Sequence, residues 1–251
     1  MSALTATELI YCAAILLLAY GLRGSTGFGG SVGMPLLALV VPIKILVPAW
    51  TLLGLVSSLA ILGKDRRHVD LKKFLVFIPW CALGVAVGLY FFTTLDSHTL
   101  LRALGVMVMV YSAYFYWTTL RPSAVSELPL RPAPRFLSPL AAWLAGLVGA
   151  LFGAMATVFF AMYLDVRAMP KAAFRATVSA MLLTLCVGRG LGYWAVGEFT
   201  REVWIAFAMA LPLMLIGIWA GDRIHVNLSE LAFKRLVCVV LLLCGIPLLL
   251  R

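Results

Sequence analysis

Long apolar segments recur along the whole chain, and short polar stretches separate them. They lie, in order, at about 8–22, 26–43, 45–63, 74–95, 99–120, 138–150, 153–166, 170–195, 201–221 and 231–250. A helix that crosses a bilayer needs about 20 predominantly apolar residues, and no soluble core absorbs so many such segments. The pattern predicts an all-α polytopic membrane protein.

The composition supports the same class. Hydrophobic residues make up 63% of the 251 residues and charged residues 12%, whereas soluble domains are about 45–50% apolar and about 25% charged. The 20 Lys and Arg residues exceed the 10 Asp and Glu residues. We attribute this excess to cytoplasmic loops that follow the positive-inside rule. The expected partner is therefore the lipid bilayer, with no nucleic acid.

The chain divides into two similar halves. The proline-rich polar stretch 121–137 is the predicted linker between a first repeat at 1–120 and a second at 138–251. Glycines recur in the same order in both halves, since 21, 24 and 63 match 146, 149 and 188, while 84 and 88 match 217 and 221. Such duplication is common in transporters. Each half is predicted to hold about five membrane-embedded segments, the first two forming a broken or re-entrant glycine-rich pair.

The charges of equivalent loops predict that the halves are inverted. Loop 64–73 carries five basic residues and should be cytoplasmic, whereas its counterpart at 197–202 carries Glu198 and Glu202 and should face outside. Five segments per half then place the linker in the cytoplasm and both termini outside. Inverted repeats of this kind surround substrate sites near the middle of the membrane.

The charged residues inside the apolar segments are positive. Every Asp and Glu lies at a segment end or in a loop, which argues against a cation as the main cargo. Arg23, by contrast, lies within the glycine-dense stretch 21–30, which we expect to be a helix break. A charge at bilayer depth costs roughly 2.5–3.5 kcal/mol on insertion scales. The arginine therefore predicts an anion-binding site, to which the start of a half-helix at about 30–43 would add free amides and a positive dipole end.

Other donors could complete this site. Serine and threonine hydroxyls lie within the break and on two later segments, and Arg189 lies between two glycines. The candidate substrate-binding residues are Arg23, Gly24, Ser25, Thr26, Gly27, Gly29, Gly30, Ser31, Ser57, Ser58, Thr157, Arg175, Ser179 and Arg189.

Structural roles compete with this interpretation. The glycines could only permit close helix packing, which is the role we predict for the second glycine block at 146–157, where Thr157 is the one side-chain donor. Arg175 could be a cytoplasmic anchor that extends to the membrane surface. Hydroxyls such as those of Ser57 and Ser58 could bond to their own backbone.

Enzyme and cofactor motifs are not found in the sequence. It contains no G-x-S-x-G elbow and no HExxH motif. The five cysteines lie in apolar segments without CxxC spacing, so we expect neither a metal site nor a disulfide. The predicted protein is neither an enzyme nor a cofactor carrier.

The residues resemble the TauE/SafE sulfite exporter family, also called toluene-sulfonate uptake permeases. The resemblance rests on the glycine-rich stretch with a following proline (Gly24 to Leu37) and on the spaced pairs Gly84/Gly88 and Gly217/Gly221. It implies secondary transport of sulfite, sulfonates or sulfoacetate-like anions across a prokaryotic cytoplasmic (inner) membrane by alternating access. A proton that travels on the substrate and a homodimeric assembly are compatible with it. An anion channel and a membrane subunit of a larger transport complex remain alternatives.

Overall fold

A computed structural model describes residues 5–26, 30–65, 71–120, 137–153, 156, 159–160, 171–223, 241–242 and 244–249. These residues form helices, and no strand occurs among them. The helices are α1 (Ala6–Thr26), α2 (Gly30–Leu37), α3 (Ile43–Asp65), α4 (Leu71–Thr94), α5 (Ser97–Leu120), α6 (Leu137–Phe152), α7 (Lys171–Ala195) and α8 (Arg201–Arg223). Residues 241–242 and 244–249 are also helical.

Five of these helices are long and apolar enough to cross a membrane: α1, α3, α4, α7 and α8. Large apolar side chains cover their outer surfaces, as with Leu18, Leu75 and Trp194, which are 61%, 63% and 73% exposed. In lipid such surfaces carry no penalty, because the hydrocarbon chains are as apolar as the side chains. The chain is therefore a multi-pass integral membrane protein.

Two helix pairs, α1–α8 and α4–α6, hold the periphery together through glycines. A Cβ atom at Gly221 would overlap the Gly21 carbonyl group, and one at Gly217 would lie 3.0 Å from the Leu17 carbonyl oxygen. In the second pair, Gly84 abuts the Trp143 carbonyl and Gly146 abuts the Cys81 carbonyl. Small residues let helix backbones approach closely enough for packing to stabilise the contact in lipid. The packing role predicted for the second glycine block is confirmed at Gly146.

Helices α3 and α7 form the centre of the fold. Gly190 faces Thr51, and Gly54 faces Cys186, so the two helices run antiparallel. Helix α4 packs against α7, and α8 packs against α3. The buried aromatic residues Tyr20, Trp50 and Tyr193 fill the space around it.

The first helix differs from the sequence prediction. Helix α1 continues through Thr26, so Arg23 lies on its last turn and not within a break. Gly21 is tolerated in the helix because α8 packs against it: a Cβ atom at Gly21 would lie 3.7 Å from the Gly217 carbonyl oxygen. The predicted half-helix at 30–43 ends at Leu37, after which a turn leads to Pro42 and α3. A proline lacks the amide that a continuing helix would need.

Candidate anion-binding site

Arg23 is buried at the end of α1, with 6% of its surface exposed. Its Nη2 donates a hydrogen bond of 2.9 Å to the Ser58 hydroxyl on α3. Its Cζ lies 6.0 Å from the centre of the Tyr20 ring, one turn earlier on α1. Helix α1 therefore presents a guanidinium to the middle of the helix bundle, against α3.

Arg189 is buried on α7, with 2% of its surface exposed. Its Nη1 donates to the Gly149 carbonyl at 2.6 Å, and its Nη2 donates to Cys186 Sγ at 3.5 Å. Gly149 lies in the last turn of α6, and Gly153, the residue after the helix, has a φ of 69° in the left-handed region that favours glycine. Carbonyl groups at a helix C-terminus carry partial negative charge. Arg189 thus has a structural role, because it holds the end of α6 against α7.

Helix α3 brings the two arginines to one face. Gly54 and Ser58 lie one helical turn apart on α3. A Cβ atom at Gly54 would lie 3.5 Å from Arg189 Nη2 and 2.8 Å from Cys186 Sγ, whereas Ser58 accepts the hydrogen bond of Arg23. Residues four apart on a helix have Cβ atoms about 5–6 Å apart. The two guanidinium groups therefore contact adjacent turns of the same helix.

Two aromatic rings border this region. Trp50, one turn before Gly54, lies with its ring centre 5.3 Å from that of Tyr20. Trp50 and Arg189 both approach Gly153. A Cβ atom added to Gly153 would lie 3.5 Å from Trp50 Cδ1 and 3.7 Å from Arg189 Nη1. Both rings are almost fully buried. The guanidinium groups consequently have a low-dielectric environment in which a charged ligand would interact strongly.

Neither guanidinium forms an ion pair with a described carboxylate. The acidic side chains that the structure describes, Glu8, Asp96, Glu198 and Glu202, lie at helix ends or in connections, as the sequence predicted. No group of three or more His, Cys, Asp or Glu residues that could hold a metal occurs in the described part of the chain. Among the described residues, the charged groups at the polar centre of the bundle are therefore positive.

The remaining predicted site residues divide into three groups. Ser57 donates to the Gly54 carbonyl of its own helix, as the competing interpretation proposed, and Ser179 is buried on α7 about 15 Å along the helix axis from Arg189. The structure describes only the helical backbone of Gly24, Ser25 and Thr26 (α1), Gly30 and Ser31 (α2) and Arg175 (α7). Gly27, Gly29 and Thr157 lie outside the described residues.

Three residues of this region were not predicted from the sequence. Tyr20 and Trp50 look like ordinary apolar-segment residues, and Gly54 lies outside the glycine-dense stretches. The available signal was helical spacing: Gly54 precedes Ser58 by one turn, and Tyr20 precedes Arg23 by nearly one turn. That signal becomes specific only when the partner helices are known.

Comparisons with known proteins point to one family. Residues 12–248 match the family model of the sulfite exporter TauE/SafE. The chain is also similar to the probable inner membrane transporter protein TsaS of Comamonas testosteroni, with 25% identity over 201 residues, which are 78% of this chain and 80% of that protein. No solved structure matches the chain. Because the family match covers nearly the whole sequence, this chain belongs to the TauE/SafE sulfite exporter family.

Proposed function

We propose that this protein is a secondary transporter that carries a small sulfur-containing or organic anion across the cytoplasmic membrane by alternating access. The observation that carries the proposal is the pair of buried guanidinium groups on one face of α3, with no described carboxylate paired to either. A buried charge is costly in a membrane unless something neutralises it. An anionic substrate would neutralise it, and a planar guanidinium suits an oxyanion.

The family and the relative support the transport class. The matched family is described as a sulfite exporter, and the relative as a probable inner membrane transporter protein. Location in the inner membrane follows for this chain as part of the same proposal. A proton carried on the substrate is the coupling route that we include in this proposal.

The mechanism rests on inverted halves. In the proposed repeat, α3 and α7 are equivalent helices, and their antiparallel contact supports inversion. The pairs α1–α8 and α4–α6 each join one helix from each half, and in both pairs glycines of one helix pack against the backbone of the other. We therefore propose that each of these two helix pairs moves as a rigid unit relative to α3 and α7, since close glycine packing holds its two helices together.

Arg23 is the proposed primary anchor of the anion, with Ser58 fixing its side chain. The donors at Ser25, Thr26, Gly27, Gly29, Gly30 and Ser31 are proposed to complete the site from the α1–α2 connection, while Arg189 acts from α7. The role of Ser179 is secondary in this proposal, because it lies about 15 Å along the axis of α7 from Arg189. Arg175 and Thr157 stay in the proposed site as further donors.

The test is uptake of radiolabelled sulfite and sulfonates into liposomes that contain the purified chain. Saturable uptake with counterflow is expected for a carrier, and Arg23→Ala should abolish it while the variant still inserts and purifies as a folded protein. Gly188→Ala is a matched control, because nothing lies within 4 Å of the added atom. Full transport by Arg23→Ala would overturn the site, and flux without saturation or counterflow would indicate a channel.

A further inference from the structure

Two buried donor groups in the arginine region lack a hydrogen-bond partner among the described residues. They are the hydroxyl of Tyr20, whose side chain is fully buried, and Nε of Arg189. A buried donor that is left unpaired costs about 1–3 kcal/mol, and most buried polar groups are satisfied. Because no described residue satisfies them, these two donors are available to a ligand.

Tyr20 belongs to the same region as both guanidinium groups. Its ring lies 6.0 Å from Arg23 Cζ and 5.3 Å from the Trp50 ring. Trp50 Cδ1 in turn lies near Arg189 Nη1, since a Cβ atom at Gly153 would be 3.5 Å from the first and 3.7 Å from the second. Tyr20 is thus placed to donate a hydrogen bond to a ligand that the two arginines attract.

The charge count indicates the class of that ligand. Two buried positive charges on adjacent turns of α3 lack a described carboxylate partner. A monoanion would leave one of them uncompensated, whereas a dianion would neutralise both in a low-dielectric environment.

We propose that Tyr20, Arg23 and Arg189 form one binding site for a small dianionic oxyanion, in which the Tyr20 hydroxyl is the neutral, specificity-determining donor. This inference rests on the proposed function and adds to it the charge of the substrate and a third binding residue. Arg189 donates through Nε while its Nη1 stays on the Gly149 carbonyl, so one side chain serves both the ligand and the end of α6.

The experiment measures affinity and stoichiometry for matched anions on the full-length chain in nanodiscs by isothermal titration. The probes are two pairs of similar size that differ by one charge: sulfate with methanesulfonate, and sulfoacetate with its amide. We expect the dianion of each pair to bind at least ten-fold more tightly, at one per chain. In Arg23→Gln the dianion and the monoanion of each pair should bind with about equal affinity.

Tyr20→Phe isolates the hydroxyl. The variant should lower dianion affinity about ten-fold while the apo protein melts at the same or a higher temperature, because an unpaired buried hydroxyl is removed. Tyr193→Phe is the control, because the hydroxyl of Tyr193 donates to the Ala150 carbonyl; it should lower the melting temperature and leave affinity unchanged.

The outcomes separate the two proposals. Equal affinity for monoanions and dianions, or two monoanions bound per chain, would overturn the dianion site but leave an anion transporter. An unchanged affinity in Tyr20→Phe would remove Tyr20 from the site. Binding of none of the four anions, together with no anion uptake in liposomes, would overturn both proposals.

Discussion

The helix pairs α1–α8 and α4–α6 are built alike but carry different chemistry. Each pair packs glycines against the partner's backbone, with Gly221 on Gly21 in one and Gly84 on Trp143 in the other. Helix α1 ends in its own arginine, whereas the end of α6 carries no charge and receives Arg189 from α7. The same glycine packing thus occurs in both helix pairs, while the cation reaches the centre on α1 in the first pair and from the neighbouring α7 in the second.

The first prediction tests the close glycine packing that the two helix pairs share, by replacing one glycine in each pair with leucine. Gly221→Leu and Gly84→Leu should each cost about 3 kcal/mol, because the new side chain meets backbone that cannot move aside. Size-exclusion chromatography in detergent should report loss of the monodisperse species. Gly188→Leu is the matched control, since its surroundings are open. A wild-type melting temperature for either interface variant would show that these contacts are looser than described.

The second prediction separates the two arginines. Arg189→Met should lower stability by about 1.5 kcal/mol, because a charge-assisted hydrogen bond to the Gly149 carbonyl is lost. Arg23→Met should leave the melting temperature unchanged or raise it, because it removes a buried charge without a described ion pair. Both variants should lose transport. Equal destabilisation by the two substitutions would contradict the assignment of a structural role to Arg189 alone.

The third prediction concerns the space that Gly54 provides. Gly54→Ala should displace Cys186 Sγ and the Arg189 guanidinium, and should lower anion affinity about ten-fold with little loss of stability. Adding Cys186→Ala should restore most of the affinity, because the closest contact is removed. Titration of the two single variants and the double variant gives the coupling energy. Additive effects would mean that Gly54 acts independently of the thiol.

The smallest effect lies outside both helix pairs, at the start of α5. Asp96 accepts hydrogen bonds from the Thr99 hydroxyl and from the amides of Thr99 and His98. The Thr99 hydroxyl and these amides lower the pKa of Asp96 below its usual range. A lowered pKa in the folded state stabilises the fold above the unfolded pKa, and this contribution is lost as pH falls through the folded value.

Asp96→Ala should therefore lower the melting temperature slightly at neutral pH and leave transport unchanged. The melting temperatures of the variant and the wild type should converge in acid, where the wild-type carboxylate becomes protonated. A difference that persists below the pKa of Asp96 would point to a cause other than the ionised cap.

The class of the protein and the positive sign of the charges inside its apolar segments could be predicted from the sequence alone. Apolar segments of membrane-spanning length require helices, because lipid cannot satisfy free backbone groups. The restriction of acidic residues to segment ends pointed to an anion, and the glycine blocks pointed to the packing that Gly146 makes. These features are local, so a single chain reveals them.

Which of the candidate residues are in contact could be read only from the tertiary structure. It joined Arg23 to Ser58, directed Ser57 to its own backbone, and assigned Arg189 partly to the end of α6. It also brought Tyr20, Trp50 and Gly54 into the same region. These contacts join helices that are far apart in the chain, and their geometry depends on how α1, α3, α6 and α7 cross, which hydrophobic periodicity does not specify.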